Sequence, residues 1–335
     1  MNKNENKIIY FPHRPGSIGG PSSFQFRLEC ILREKGYSVM YADDKLKKNS
    51  SVIIVVGGTK KFFWLFKAKI KGIKIIQRLD GIDTYEFRFK DGIKNFIKSR
   101  LIHFIIKFIR KRLANHIIYQ SLYVKKVWED RLGRFQNQSV IYNAVNLNEF
   151  YPIEKNSKKT DLSLVSVEGT VQGELAMNIL KSISVAGIDV YGQIHKKILN
   201  DINKLNNKKI VLHGPVPRNE IYKVFKGRKI YICLEIKPAC PNSVIEALAS
   251  GVPVVGFDSG SLKELVGQAG IILPYVGGSQ DRMESPSCMN IDSAIVKINE
   301  NYEYYSNLAK SRAEKFFDLN DQYTKYSELI ENYIH

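Results

Sequence analysis

The densest chemistry in the chain lies in residues 238–275, PACPNSVIEALASGVPVVGFDSGSLKELVGQAGIILPY. A loop through Pro241-Asn242-Ser243 leads into a stretch of helical length, and a helix N-terminus gathers unpaired N–H groups and partial positive charge that suit a diphosphate. Glu246 follows one turn in, where a carboxylate can accept both hydroxyls of a ribose; on bare spacing alone such a residue is more often an ordinary surface glutamate. A second group, Arg78-Leu79-Asp80-Gly81, closes an apolar run. Two charges at a buried strand end are costly unless they pair with each other or meet a substrate, and both readings stand. His13 and Arg14 follow the first apolar run. The six histidines show no metal-ligand spacing, and Cys30, Cys233, Cys240 and Cys288 form no CxxC pair. Neither a zinc site nor a disulfide framework is expected, and the thiols read as reduced and intracellular.

The elements that must position these residues are short β-branched runs separated by segments of helical length. In the first half the runs are 7–11, 37–42, 51–58, 73–81, 116–121 and 139–145; in the second they are 162–167, 188–192, 209–214, 229–236, 252–257 and 270–275. Most are continuously apolar, as for strands covered on both faces of a parallel sheet. The expected fold class is α/β, with two doubly wound, Rossmann-like domains. Their seam is expected near Tyr151–Asp161, where PIEKNSKKTD is polar and charged, giving domains of 1–152 and 153–315. A C-terminal helix over 316–335 is expected to pack back on the first. Ligands of such sheets bind beyond the carboxyl ends of the strands, so two facing domains imply a site in the cleft between them.

The formal charge is +18 over 335 residues, and it is unevenly spread. Residues 1–152 hold 29 Lys and Arg against 12 Asp and Glu, whereas residues 153–335 hold 22 against 21. An anionic partner of the first half is implied. KKFFWLFKAKIKGIK (60–74) interleaves six lysines with aromatics, and in IKNFIKSRLIHFIIKFIRKRL (93–113) apolar residues recur every three or four. Lys107, Arg110, Lys111 and Arg112 fall mostly between them. Such a basic amphipathic helix fits an anionic membrane surface, and it fits equally a core-facing helix with a solvated lysine face. The two basic segments together favour lipid, and no nucleic-acid readout motif is present, so no nucleic acid is expected as partner. No signal-peptide pattern and no apolar run of spanning length occur, so the chain is expected in the cytoplasm, peripheral on the inner membrane face.

Residues 238–275 resemble the nucleotide-sugar signature of the family 4 glycosyltransferases, which have the GT-B fold of two Rossmann-like domains facing a cleft. The resemblance implies that Asn242, Ser243 and Val244 open the helix facing the donor phosphate, that Glu246 is the donor-site glutamate, and that Ala249-Ser250-Gly251 is the turn before Val252-Pro253-Val254-Val255. Gly16-Ser17-Ile18-Gly19-Gly20-Pro21 looks like the family's glycine-rich first loop, which makes Gly19 and Gly20 donor-site residues. His213-Gly214-Pro215-Val216-Pro217 resembles the loop that meets the nucleotide base, placing Gly214, Val216 and neighbouring Arg218 at the donor. Residues 118–124, 141–146 and 150–152 are similar to the end of the family's first domain. Asp80, with Arg78, falls where the family often has a histidine close to the reacting sugar, and His13 and Arg14 are expected to face the acceptor.

The sequence also departs from the family pattern. The first glutamate of the signature is replaced by Pro238, and the Arg and Lys that neutralise the leaving diphosphate are missing from Val167-Glu168-Gly169-Thr170-Val171-Gln172-Gly173. A departing diphosphate needs its growing charge stabilised, and Lys237 and Arg218 are the nearest cations in sequence. No DxD motif is present, so no metal or other cofactor is expected. The resemblance thus implies a retaining glycosyltransferase that moves sugar from a nucleotide-sugar donor to a lipid-linked or glycan acceptor in surface-polysaccharide synthesis. Pro238 and Gln172 motivate one alternative, a glycosyltransferase-like subunit that binds without catalysis. The other alternative is a GT-B nucleotide-sugar epimerase.

Overall fold

All twelve expected strands form, and they divide into two six-stranded, wholly parallel sheets. The computed structural model describes residues 7–16, 19–48, 50–81, 93–150, 162–205, 209–275 and 290–334. The expected seam at Tyr151–Asp161, and Cys288, lie outside them. Contacts separate one unit comprising Met1–Ser17, Pro21–Tyr142 and Asn320–His335 from a second comprising Ile18–Gly20 and Asn143–Leu319.

In the first unit, β1 (Ile8–Phe11), β2 (Ser38–Tyr41), β3 (Ser51–Val56), β4 (Lys74–Leu79), β5 (His116–Tyr119) and β6 (Gln138–Val140) are ordered β2-β1-β3-β4-β5-β6. The helices are α1 (Gly20–Glu34), α2 (Phe62–Ile70), α3 (Ile93–Phe108) and α4 (Leu122–Leu132). Strands β1 and β5 are buried at every position and β3 and β4 at all but one, which is why these runs show no polar alternation. Leu65 and Ala68 of α2 pack with Ile53, Val55 and Ile75 of the sheet. Burial of a side chain such as Leu65 contributes about 1.5–3 kcal/mol. Helix α4 starts where it does because Ser121 caps it, its hydroxyl accepting from Val124 N at 3.1 Å. The chain returns to this unit at its end, where Glu331 accepts from Lys7 Nζ at 2.7 Å and from Tyr37 OH at 3.0 Å.

Helix α3 ends in a π-helical turn, Ile109–Leu113. The widened turn changes which side chains face inward. Arg110, expected at the solvent face with Lys107 and Lys111, is 2% exposed. It donates from Nη2 to Gly133 O at 2.6 Å and lies over the Phe135 ring at 5.6 Å. Arg110 is therefore a buried structural arginine and not a lipid-facing one.

In the second unit, β7 (Leu164–Val171), β8 (Ile188–Ile194), β9 (Ile210–Gly214), β10 (Ile230–Ile232), β11 (Val254–Phe257) and β12 (Gly270–Leu273) are ordered β12-β11-β10-β7-β8-β9. The short α5 (Leu147–Phe150) precedes them, and α6 (Gly173–Ser182), α7 (Lys196–Leu205), α8 (Ile221–Phe225), α9 (Asn242–Ala249) and α10 (Leu262–Val266) connect them. Helices α11 (Ile291–Glu300) and α12 (Tyr302–Phe316) follow, and α13 (Leu319–Glu331) carries the chain back to the first unit. Leu175 and Ile179 of α6 and Ile295 and Ile298 of α11 share a core with Leu164, Val190, Ile230 and Val255. Strand order reverses between β7 and β10, and the loops leaving those neighbours run to opposite sides. That divergence opens a crevice at their carboxyl ends, where open α/β sheets take ligands.

Candidate functional site

The second unit builds its site around α9. Pro241 precedes the helix, and no side chain caps it. Its first amides are thus left to an outside acceptor. Ser243 is buried beside that end, and Asn242 is half-buried with Nδ2 donating to Gly20 O at 3.4 Å. The Oδ1 of Asn242 has no solvent and, among the described residues, no hydrogen-bond partner. Val244 is wholly buried, so its side chain belongs to the core and only its backbone lies near the helix end. Glu246 is 3% exposed, which removes the reading as an ordinary surface glutamate.

The loop before α9 is held tightly. Lys237 has φ of 51°, a left-handed conformation that costs a non-glycine residue of order 1 kcal/mol. It is kept there by Lys237 N donating to Ser259 Oγ at 3.1 Å and Ser261 N donating to Pro238 O at 2.8 Å. Gly260 permits the approach, since a Cβ there would lie 2.4 Å from Pro238 O. Lys237 forms no ion pair with the described residues. Gly214 has φ of 77° at the end of β9, and Val216 and Arg218 are half-buried in the loop that follows.

Two side-chain clusters of the second unit depend on neighbours in space that the sequence does not display. Glu168 of β7 is buried at the crevice between β7 and β10 with Glu235, Tyr231 and Cys233 around it. Burial, and then the neighbouring Glu235, push its carboxyl well above the usual carboxylate range. Asp189 of β8 holds both His213 and Arg228, and the His213 ring stacks on Tyr191 with centroids 4.4 Å apart. Pairing of β8 with β9 sets Asp189 and Tyr191 beside His213, and Arg228 joins them from the turn before β10; the base-loop resemblance named His213 but none of these partners.

The first unit carries a separate cluster at its own strand ends. His13, exposed after β1, shares a 2.7 Å hydrogen bond between its Nε2 and Thr59 Oγ1 beyond β3, across the point where the strand order reverses. Burial, and then Lys61, lower the His13 pKa. Arg14 lies over the Tyr41 ring at 4.2 Å, and Lys61 pairs with Asp43 at 2.6 Å. Arg78, at 1% exposure, is out of reach of any substrate. Its guanidinium pairs with Asp80, donates to Gln120 Oε1 at 2.6 Å and lies over Phe24 at 3.8 Å. The Asp80 backbone oxygen in turn accepts from Trp128 Nε1 at 2.9 Å. Of the expected pair, Asp80 alone is open to solvent, and Arg78 fixes its carboxylate. Thr59 and Asp43 carried no sequence signal, because single residues after strands have no motif, while Lys61 and Gln120 fell in stretches read for lipid contact and for the end of the first domain.

The basic helices of this unit leave an apolar face uncovered. Phe63 of α2 is 87% exposed and Ile70 73%, and Leu101 and Phe104 of α3 are exposed as well. Phe62 and Phe108 join the two helices edge to face at 4.9 Å. Lys111 and Arg112 are exposed beside them and Lys107 is half-buried. Among the described residues, no helix is long and apolar enough to cross a membrane, and no group of three His, Cys, Asp or Glu is placed to hold a metal ion.

Comparison with known proteins agrees with this layout. Residues 174–281 match the family described as glycosyl transferases group 1, so the second unit carries a group 1 glycosyltransferase domain. An uncharacterized glycosyltransferase of Haemophilus influenzae is 21% identical over 298 residues, covering 78% of this chain and 83% of the relative. Sucrose-phosphate synthase from Thermosynechococcus elongatus superposes with a TM-score of 0.76 at 11% identity, over 98% of this chain and 99% of that one. HepE from Anabaena, solved in complex with UDP, superposes at 0.68 with 13% identity, over 97% of this chain and the whole of the other. The architecture is GT-B, and fold and domain together define a glycosyltransferase.

Proposed function

We propose that this glycosyltransferase takes sugar from a UDP-sugar, bound at α9, and passes it to a lipid-linked or glycan acceptor at the cytoplasmic membrane face. The role is surface-polysaccharide assembly, and no metal ion takes part. The observation that carries the donor site is the uncapped start of α9, with Asn242 Oδ1 lacking a partner among the described residues and Glu246 buried one turn on, inside the stretch that matches the group 1 family. HepE, of the same fold, binds UDP, which supports uridine as the base. Gly214 and Val216 border the base, and Lys237 and Arg218 stand in for the missing cations at the leaving diphosphate. Retention follows from the family resemblance, with the acceptor hydroxyl attacking on the face from which the diphosphate departs. Asp80 and His13, with Arg14, serve the acceptor side. The exposed aromatics of α2 and α3, ringed by lysine and arginine, support attachment to anionic lipid.

Calorimetry with UDP, GDP, ADP and their sugars, on wild type and Glu246→Ala, tests the donor reading. Binding selective for one nucleotide and lost in the variant is expected; silence across the panel from a folded protein would overturn it. Flotation with anionic liposomes tests attachment: wild type floats and Lys107→Glu/Lys111→Glu/Arg112→Glu does not. Failure of wild type to float removes the membrane from the proposal. Pro238 and the cation-free segment Gly169–Gln172 favour a second reading, a binding subunit without turnover. Turnover of any sugar donor excludes it.

A further inference from the structure

Beneath the start of α9 lies a buried hydrogen-bond network with too few protons for its acceptors. Tyr231 OH has one proton and three oxygens in range: Ser243 Oγ at 3.0 Å, Glu168 Oε1 at 3.2 Å and Val167 O at 3.3 Å. Glu168 Oε1 also accepts from Leu234 N at 2.9 Å and lies 3.5 Å from Ser166 Oγ. Its second oxygen, Oε2, is buried and meets no strict hydrogen-bond partner among the described residues, and the side chain that hydrogen-bonds Glu168 from beyond β10 is Glu235, so the two carboxyls share the site's proton. Glu168 is 6% exposed, so neither oxygen is rescued by solvent. The ionisable groups acting on it are Tyr231 of β10 and Cys233 and Glu235 just after that strand; all are acids. From β8, Gly192 presses against the Glu168 backbone and contributes no charge, and from α9 Ser243 contributes only a hydroxyl.

The protonation state of Glu168 decides how this network is polarised. An ionised carboxylate is the strongest of the three acceptors and captures the Tyr231 proton. Ser243 must then give its own proton to the Tyr231 oxygen, and it turns lone pairs toward the helix end. With Glu168 neutral, Tyr231 donates to Ser243 Oγ, and the serine proton is released toward whatever anion sits at the amides of α9. Burial and the adjacent Glu235 both favour the neutral state.

We propose that Glu168, Tyr231 and Ser243 form a proton relay that sets whether Ser243 offers a proton or lone pairs to the donor diphosphate, and that donor binds the form in which Glu168 is protonated. The inference rests on the donor site assigned above. Glu168 is a positioning residue in this scheme, acting through Tyr231 on the serine. It also compensates part of the missing positive charge: a neutral acid adds no repulsion, and a hydroxyl donor is gained.

The probe is UDP-glucose, whose diphosphate carries no titrating proton between pH 6 and 8.5. Calorimetry in buffers of differing ionisation enthalpy reads both Kd and proton uptake. Wild type should bind about three- to tenfold more weakly at pH 8.5 than at pH 6, taking up a proton as it binds at the upper end. Glu168→Gln, locked neutral, should keep its affinity across the range with no uptake, and Tyr231→Phe should bind more weakly with a flat profile because the link is cut. Wild-type binding independent of pH, or a Glu168→Gln profile that matches wild type, overturns the relay. Should Glu168→Gln fail to fold, the Tyr231→Phe profile decides alone. If UDP-glucose binds neither wild type nor any variant at any pH, the donor site itself is wrong and the relay falls with it, so the two failures are told apart.

Discussion

Replacing Arg78 by Met separates its structural role from a catalytic one. The substitution keeps the length and apolar stem of the side chain, and Met packs acceptably on the Phe24 ring. It removes the ion pair with Asp80 and the donor to Gln120. Breaking a buried pair by deleting one partner costs about 3–5 kcal/mol. The Asp80 side chain is 27% exposed and recovers some hydration, which lowers that to about 2–3 kcal/mol. Gln120, buried, loses a partner at about 1 kcal/mol more. The total is about 3–4 kcal/mol. Asp80→Asn keeps an acceptor facing Arg78 and should cost about 1–2 kcal/mol. The double variant should lose less than the sum, with a coupling of about 2 kcal/mol. Urea unfolding followed by tryptophan fluorescence is the assay, because both tryptophans, Trp64 and Trp128, lie in the first unit and report on it alone. UDP binding in the second unit should be unchanged. A loss below about 0.5 kcal/mol, or strict additivity in the cycle, would refute the assignment of Arg78 as the clamp on Asp80.

Two further predictions use the same separation of the units. His116 is buried between Ser139 Oγ at 3.0 Å and Tyr333 OH at 3.3 Å, and burial pushes its pKa down to about 4. The unfolded chain takes up this proton near pH 6.5 and the folded chain does not, so stability is full above that pH and is lost as pH falls toward 4. The first unit should lose about 2 kcal/mol between pH 7 and pH 5 by fluorescence-monitored unfolding, and His116→Gln should lack this component; equal slopes would show that the histidine takes its proton in the fold. In the second unit, Gly192 has φ of 132°, and a Cβ there would lie 2.1 Å from Glu168 O. Gly192→Ala must therefore push β8 away from β7 and destabilise this unit by about 3 kcal/mol or more. Calorimetric unfolding should show the loss with the tryptophan transition unmoved, and a tolerated alanine would mean that the two strands are not so closely apposed.

The strands were legible because continuous burial writes itself into composition: IIYF, VIIVV and VPVVGF admit little besides the interior of a parallel sheet. The start of α9 was legible for a similar reason, since a Pro-Asn-Ser loop before an apolar stretch has one local solution. Arg110 was misread because a 3.6-residue period carries no sign of a π turn, and the turn alone rotates that side chain inward. Glu246 was ambiguous because spacing reports which face of a helix a residue occupies, not whether that face is covered. The alternatives left open for Arg78 and Asp80 were resolved by Phe24 and Gln120, which lie 54 and 42 positions away from Arg78 in the chain.

By itself the sequence determined what depends on neighbours along the chain: the strands and helices, the basic first half, and the helix end that offers its amides to an anion. The tertiary structure alone decided what depends on neighbours in space. It buried Glu168 beside Glu235 at the crevice between β7 and β10, joined it to Ser243 through Tyr231, and withdrew Arg78 beneath Phe24. Protonation and access are set by solvent exclusion and by charges a few ångströms away, and strands adjacent in a sheet can be more than sixty residues apart in the chain, as β7 and β10 are.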